Sequence, residues 1–249
     1  MSVKILSPDW NVPNQIKAYV TTRIGGVSLA PYESMNLASH VGDDLQSVLE
    51  NRKIIKEQLN FPNEPCWLDQ VHGTNVMTLK GSAPLITKAD AFYTNKKNIV
   101  GVVLTADCLP VLITNDTGTE IAVAHAGWKG LLNGVIEETV KQFTSAPQTL
   151  HVWLGPAIGP EQFEVGDDVR EGFLNEGTVT SDKVKQAFKV KSEQKWLADI
   201  YLLARQRLEI LGVENISGGD FCTVTESEKF YSFRRDGPTG RMASFIWIT

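Results

Sequence analysis

Residues 99–138 read IVGVVLTADCLPVLITNDTGTEIAVAHAGWKGLLNGVIEE, and this stretch decides the fold. Three apolar runs rich in Val and Ile, at 99–104, 109–114 and 120–125, are separated by turn residues and followed by a helical pattern. They predict a strand meander that feeds a helix. If the outer runs point the same way and the middle one returns between them, Cys108 and His125 emerge at one end of the sheet. Strands about 5 Å apart put the outer pair roughly 10 Å apart, within reach of one small site. A thiol and an imidazole brought together there point to chemistry.

Working outward, the 249 residues, 42% of them hydrophobic, can bury a sizeable core, and suit one large domain over residues 1–249 or two small ones. A net charge of −5 offers no global field for nucleic acid or an anionic membrane, so a small-molecule partner is expected. The N-terminal MSVKILSPDWNVP has no apolar run long enough for export. The longest apolar stretch is broken by Asp107 and falls short of the roughly 20 residues a membrane helix needs. Cys66, Cys108 and Cys222 are too few and too scattered for a disulfide framework. Reduced thiols in a cytoplasmic protein are the expectation. The sequence leaves the oligomeric state open.

Upstream, residues 3–6 and 16–22 read as strands, and the polar, Gly-rich segment 23–44 is long for a loop and carries Arg23 and His40. A binding loop and a solvated surface loop both fit it. Asp43 or Asp44 caps a helix whose apolar stripe runs from Val48 to Leu59. Residues 66–80 hold two strand-like pieces around His72, whose setting before Gly73 reads locally as a turn more readily than as a ligand; 89–94 is a further strand. After His125, AGWKG leads into a helix expected to run from Leu131 to Phe143, its N-terminus close enough to His125 to lower a thiol pKa or hold an anion.

Downstream, the expected elements are a strand at 149–154 holding a structural His151, a rigid GPAIGP turn, a helix at 167–176 and another from Leu197 to Leu211. The polar region between those helices reads as flexible. Two strands, 229–233 and 242–248, close the chain around Arg234-Arg235-Asp236-Gly237-Pro238-Thr239-Gly240-Arg241. Three arginines about that turn suit a phosphate, or local ion pairs at the surface.

His72, Cys108 and His125 form a His/Cys/His donor set of wide spacing, which zinc accepts at a site completed by water or substrate. Cys108 also fits a small buried apolar role. A metal-free hydrolase, with Cys108 as nucleophile and His125 as base, fits as well. Spacing alone separates none of these. Gly-x-Gly-x-x-Gly, a P-loop and the Pro-Cys-x-x-Cys of zinc base deaminases are all absent.

Several blocks carry a resemblance: TTRIGGVS (21–28), Leu37 with His40, QVHG (70–73), TADCLPV (105–111), AHAGW (124–128), LGPAIGP (154–160) and RRDG (234–237) through Ile246-Trp247. In matching order over nearly the whole chain, they resemble the bacterial YfiH-like, or laccase-domain, family, also called purine nucleoside phosphorylases. Lys129 stands where Arg is expected. The resemblance implies a single α/β unit with mixed sheets, and zinc on His72, Cys108 and His125. It further implies phosphorolysis of adenosine, inosine, guanosine and methylthioadenosine, and hydrolytic deamination of adenosine. Peptidoglycan-editing hydrolysis and a copper polyphenol oxidase activity are the alternatives it brings.

A multicopper oxidase needs a mononuclear copper and a three-copper cluster, largely on imidazole. This chain has four histidines, so an oxidase would have to work with one copper in the His/Cys/His position. For purine chemistry, the expected roles are metal-assisted attack of water at C6, with Asp107 shuttling the proton. Phosphate falls to Arg23, His40, Lys129 with its helix start, Arg234 and Arg235.

Overall fold

The computed structural model describes residues 3–79 and 88–249. The chain opens with strands β1 (Ile5–Leu6) and β2 (Ile16–Thr21), then the long irregular segment and helix α1 (Leu45–Leu59). Strands β3 (Val76–Thr78), β4 (Ala91–Thr94), β5 (Gly101–Thr105), β6 (Leu109–Asn115) and β7 (Ile121–Ala126) follow, then the short helices α2 (Trp128–Leu132) and α3 (Val135–Val140). Next come β8 (Leu150–Leu154), β9 (Glu164–Gly166), α4 (Asp167–Glu176), α5 (Ser181–Gln186), β10 (Phe188–Ser192) and β11 (Lys195–Ala198). Helix α6 (Ile200–Ile210), β12 (Asn215–Gly218), α7 (Phe233–Asp236) and β13 (Met242–Ile248) complete it.

Two sheets carry the core: a four-stranded one in the order β1-β2-β13-β5, and a six-stranded mixed one in the order β12-β8-β6-β7-β4-β3. Side-chain alternation shows how they stack. On β7, Ile121 and Val123 join one apolar cluster with Met242, Ile246 and Val103 of the other sheet, while Ala122, Ala124 and Ala126 face a second cluster with Ile136, Ala204 and Leu208 of the helices. On β13, Phe245 and Trp247 turn the other way, onto Ile55 of α1. The result is four layers, helix, sheet, sheet and helix, in a mixed α/β domain. A small sheet, β10-β11-β9, flanks it.

The expected meander is corrected by this topology. The 109–114 and 120–125 runs do pair antiparallel, with Pro110 opposite His125, but the 99–104 run pairs with β13 in the other sheet. All of β5 is buried, and a run apolar on both faces does not say which sheet it belongs to. The switch is made at Ala106–Cys108, where Asp107 adopts φ +82°. Cys108 and His125 still meet, because the pairing that matters is between neighbours.

Other expectations need adjustment. The helix after His125 begins at Trp128 and is broken at Gly134 (φ +96°), so no single helix reaches Phe143. The later helix starts at Ile200 on an Asp199 cap, because Lys195–Ala198 pair as β11. Residues 229–233 form no strand; Ser232 instead caps α7 by accepting from the Arg235 N–H at 3.1 Å. Of the two pieces at 66–80, only Val76–Thr78 is a strand, Cys66 and Asp69 make single bridges, and Lys80 lies outside the described residues. The polar region before Lys195 contains α5 and the β10-β11 hairpin. Helix α4 has the expected limits, and Asp44 caps α1. Among the described residues, no helix is long and apolar enough to cross a membrane.

A candidate metal centre between two cavities

The six-stranded sheet delivers two of the three donors. Cys108 precedes β6 and His125 lies near the end of β7, so their antiparallel register brings them to one edge. His72 arrives from the loop before β3 with φ +58°, a conformation that a bulky side chain adopts only when its surroundings hold it there. Asp90 does the holding. Its Oδ1 accepts from the His72 N–H at 2.8 Å, and its Oδ2 from Gly73 at 2.7 Å and Val71 at 3.2 Å. The same Oδ1 lies 2.9 Å from His125 Nδ1, and the Asp90 carbonyl accepts the His125 N–H at 2.7 Å.

Asp90 is fully buried, yet its carboxyl lies below the usual carboxylate range. Burial pushes it up, but His125 and the N–H groups of Gly73 and Val71 outweigh that. The Asp90 contact fixes the proton of His125 on Nδ1 and turns Nε2 toward Cys108. Burial likewise pushes the Cys108 thiol up, and the facing imidazoles of His125 and His72 more than reverse it, favouring thiolate. His125 is raised in turn: burial lowers it, but the Cys108 sulfur and Asp90 carboxylate prevail.

The donor atoms of His72, Cys108 and His125 lie within 4.8 Å of one another, and Cys108 Sγ is 3.8 Å from His72 Nε2. Two ligands of one tetrahedral zinc, with bonds of about 2.3 and 2.1 Å, are roughly 3.6 Å apart, so the set fits a metal ion with a position left open. Gly127 makes the approach possible. A Cβ there would stand 3.0 Å from Cys108 Sγ and 3.0 Å from His72 Cδ2.

Two cavities share the His72 and Cys108 wall. The larger, about 370 Å³, is lined by Asp107, Trp128, Lys129, Phe163, Phe233 and Arg234 among others, a size suited to a small ligand. The smaller, about 280 Å³, is lined by His40, Gln70, Thr105, His125, Phe233 and Arg241. Phe233 is 58% exposed and belongs to both, an aromatic face left open where a planar ligand would enter.

The structure therefore gathers His40, Asp107, Lys129 and Arg234 around the donor set, but not Arg23 or Arg235. Arg23 spends its guanidinium on the carbonyls of Glu33 and Ser227 and lines a different depression. Arg235 is held by Asp236 and the carbonyls of Thr223, Val224 and Phe230. Both are structural clamps. Asp107 Oδ1 accepts from Thr223 Oγ1 at 2.5 Å and Oδ2 from the Arg234 N–H at 2.7 Å, which fixes it in the cavity wall. The helix start at Lys129 belongs to a five-residue helix, too short to build a dipole of consequence.

Sequence reasoning missed Asp90 and gave Gly127 no role. The signal for Asp90 was an acid set into the apolar run Ala89–Tyr93, where a buried carboxylate demands partners. Arg241 was visible only as one of three arginines about a turn.

The sequence profile described as multi-copper polyphenol oxidoreductase laccase matches residues 17–249. The purine nucleoside phosphorylase YfiH of Escherichia coli K12 is 53% identical over 245 residues, covering 98% of this chain and 99% of the relative. A purine nucleoside phosphorylase of Haemophilus influenzae is 51% identical over 248 residues, covering 99% and 100%. The crystal structure of a Neisseria meningitidis protein superposes with a TM-score of 0.90 at 42% identity, covering 98% of both chains. The chain belongs to this laccase-domain family, in its YfiH branch.

Proposed function

We propose that the protein is a purine nucleoside phosphorylase built around a zinc ion on His72, Cys108 and His125. The observation that carries this reading is the donor set itself, placed in the wall of a cavity with aromatic sides and cations at its rim. The names of the relatives from Escherichia coli and Haemophilus influenzae support it. Phosphorolysis breaks the bond between purine N9 and ribose C1′ and joins C1′ to a phosphate oxygen, so base, sugar and anion must be held together.

Trp128, Phe163 and Phe233 offer apolar faces to the purine. Lys129 and Arg234 bring positive charge to the rim. The Asp107 carboxylate, fixed by Thr223 and Arg234, keeps lone pairs able to accept from a sugar hydroxyl or take up a proton. Zinc bound to the donor set supplies Lewis acidity at this point. Asp90 orients His125 and the His72 loop, so the ligands are preorganised before substrate arrives.

Adenosine deamination belongs to the same reading: water replaces the amino group at C6, ammonia leaves, and no phosphate is consumed. The three free thiols suit the cytoplasm. Multicopper oxidation is disfavoured by the side chains, since two of the four histidines enter the donor set and furnish a single metal position. Metal analysis should find about one zinc per chain. Cys108→Ser should lose zinc and inosine turnover together while keeping its circular dichroism; turnover that survives loss of the metal rejects the reading.

A further inference from the structure

We propose that the smaller cavity is an oxyanion subsite that binds inorganic phosphate through Arg241 and Thr105, with His40 at its edge. This rests on the phosphorylase reading above for the identity of the anion, and on the side chains for the site.

The first observation is an unspent guanidinium. Arg241 is half-buried, and only its Nη1 is engaged, by the carbonyls of Thr239 at 2.8 Å and Gly240 at 3.0 Å. Its Nε and Nη2 have no hydrogen-bond partner among the described residues. Arg23 and Arg235, by contrast, each use several nitrogens on neighbouring oxygens. The negative groups whose charge reaches it, Cys108 of the shared wall and Asp107 of the larger cavity, form no hydrogen bond with it, so two nitrogens of its fork stay free to match two phosphate oxygens.

The second observation is an orphan hydroxyl in the same cavity. Thr105 is 2% exposed, and its Oγ1 has no partner, a costly state that a bound oxygen would relieve. Both residues line this cavity, at the point where β5 ends and β13 begins, Thr105 pairing there with Met242, the residue after Arg241. Gln70 lines the cavity too, but both ends of its amide are spent on the Leu104 backbone, at 2.7 and 2.8 Å, so it stiffens the wall.

Charge separates the two cavities. No Asp or Glu lines the smaller one, whereas Asp107 lines the larger. Asp69 is near His40 but outside the lining, and Arg52 and Arg241 face the same imidazole. Lys129 and Arg234 are exposed, where water competes for an anion, and the Arg234 guanidinium already donates to the Glu164 carbonyl. The shared walls, His72, Ala106, Cys108 and Phe233, place an anion in the smaller cavity next to a nucleoside in the larger. That is the arrangement a phosphate needs to reach C1′.

Calorimetric titration of the zinc-loaded protein with inorganic phosphate tests this without relying on turnover. Wild type should bind saturably, Arg241→Met should weaken binding about tenfold or more, and Thr105→Val severalfold. Lys141→Met, at an exposed position lining neither cavity, should stay within about twofold of wild type. Near-ultraviolet circular dichroism and zinc content verify each variant, and Thr105→Val, nearly isosteric, decides if Arg241→Met does not fold. Unaltered binding in the folded Arg241 and Thr105 variants, no binding by wild type, or loss with Lys129→Met while Arg241→Met binds as wild type overturns the proposal. Inosine conversion is read separately. Arg241-dependent phosphate binding in a wild type that converts no inosine rejects the phosphorylase reading and leaves the subsite standing.

Discussion

Replacing Asp90 with Asn tests whether one buried carboxylate assembles the candidate metal centre. Asp90 accepts from four donors: the N–H groups of Val71, His72 and Gly73, and Nδ1 of His125. Each carboxylate oxygen takes two of them. Asparagine retains one acceptor oxygen, so whichever way it turns, its NH₂ faces two donors that it cannot satisfy. Two lost bonds to a charged acceptor, at about 1.5–3 kcal/mol each, amount to roughly 3–6 kcal/mol. Against an ordinary domain stability of about 5–15 kcal/mol, that is a large fraction of the total. Either orientation also loosens a ligand, by freeing the His72 loop or the His125 ring, and metal affinity should fall about 10–100-fold. Urea unfolding of the metal-free protein gives the first quantity, and zinc competition against a chromophoric chelator gives the second. A stability change below about 1 kcal/mol with unaltered zinc affinity would refute the assignment of Asp90 as the organiser.

Gly127→Ala introduces a Cβ 3.0 Å from Cys108 Sγ and His72 Cδ2. It should lower zinc affinity more than it lowers the stability of the metal-free protein, as the same competition and urea measurements will show. Acid should destabilise the fold in a defined window. Burial pushes Asp90 and Glu120 up, but their hydrogen bonds hold both carboxyls below ordinary values. Their stabilisation is complete above the unfolded values of about 3.9 and 4.3, and is lost as pH falls through the lower folded ones. Urea midpoints measured from pH 6 downward should therefore drop steeply only below about pH 4.5. Glu120→Gln should flatten that drop and leave zinc affinity alone, since Glu120 bonds Tyr93, Thr144 and Ser145 at the far end of β7.

The sequence made local facts legible and distant partnerships obscure. Helix α4 and the strands β6 and β7 follow from apolar periodicity, and the meeting of Cys108 with His125 follows from the turn that joins those two strands. The neighbour of β5 did not follow, because a run buried on both faces carries no directional signal. His72 looked locally like a turn residue, and its φ of +58° shows that it is one, while its imidazole stands in the candidate donor set. What holds it there is Asp90, eighteen residues on, brought beneath the loop by the sheet. Arginines posed the hardest problem. Arg23, Arg235 and Arg241 are alike in sequence, and only their carbonyl and carboxylate neighbours in space reveal which guanidinium is spent and which is available.

On the proposed function, this chain transfers ribose from a purine to phosphate. Chromatography of inosine incubated with zinc-loaded protein, with and without inorganic phosphate, tests it most directly. Hypoxanthine and ribose 1-phosphate should form in equal amounts when phosphate is present, with neither formed in its absence or by His125→Ala under either condition. Hypoxanthine released with free ribose in phosphate-free buffer, or no turnover of inosine by fully zinc-loaded protein, would contradict it.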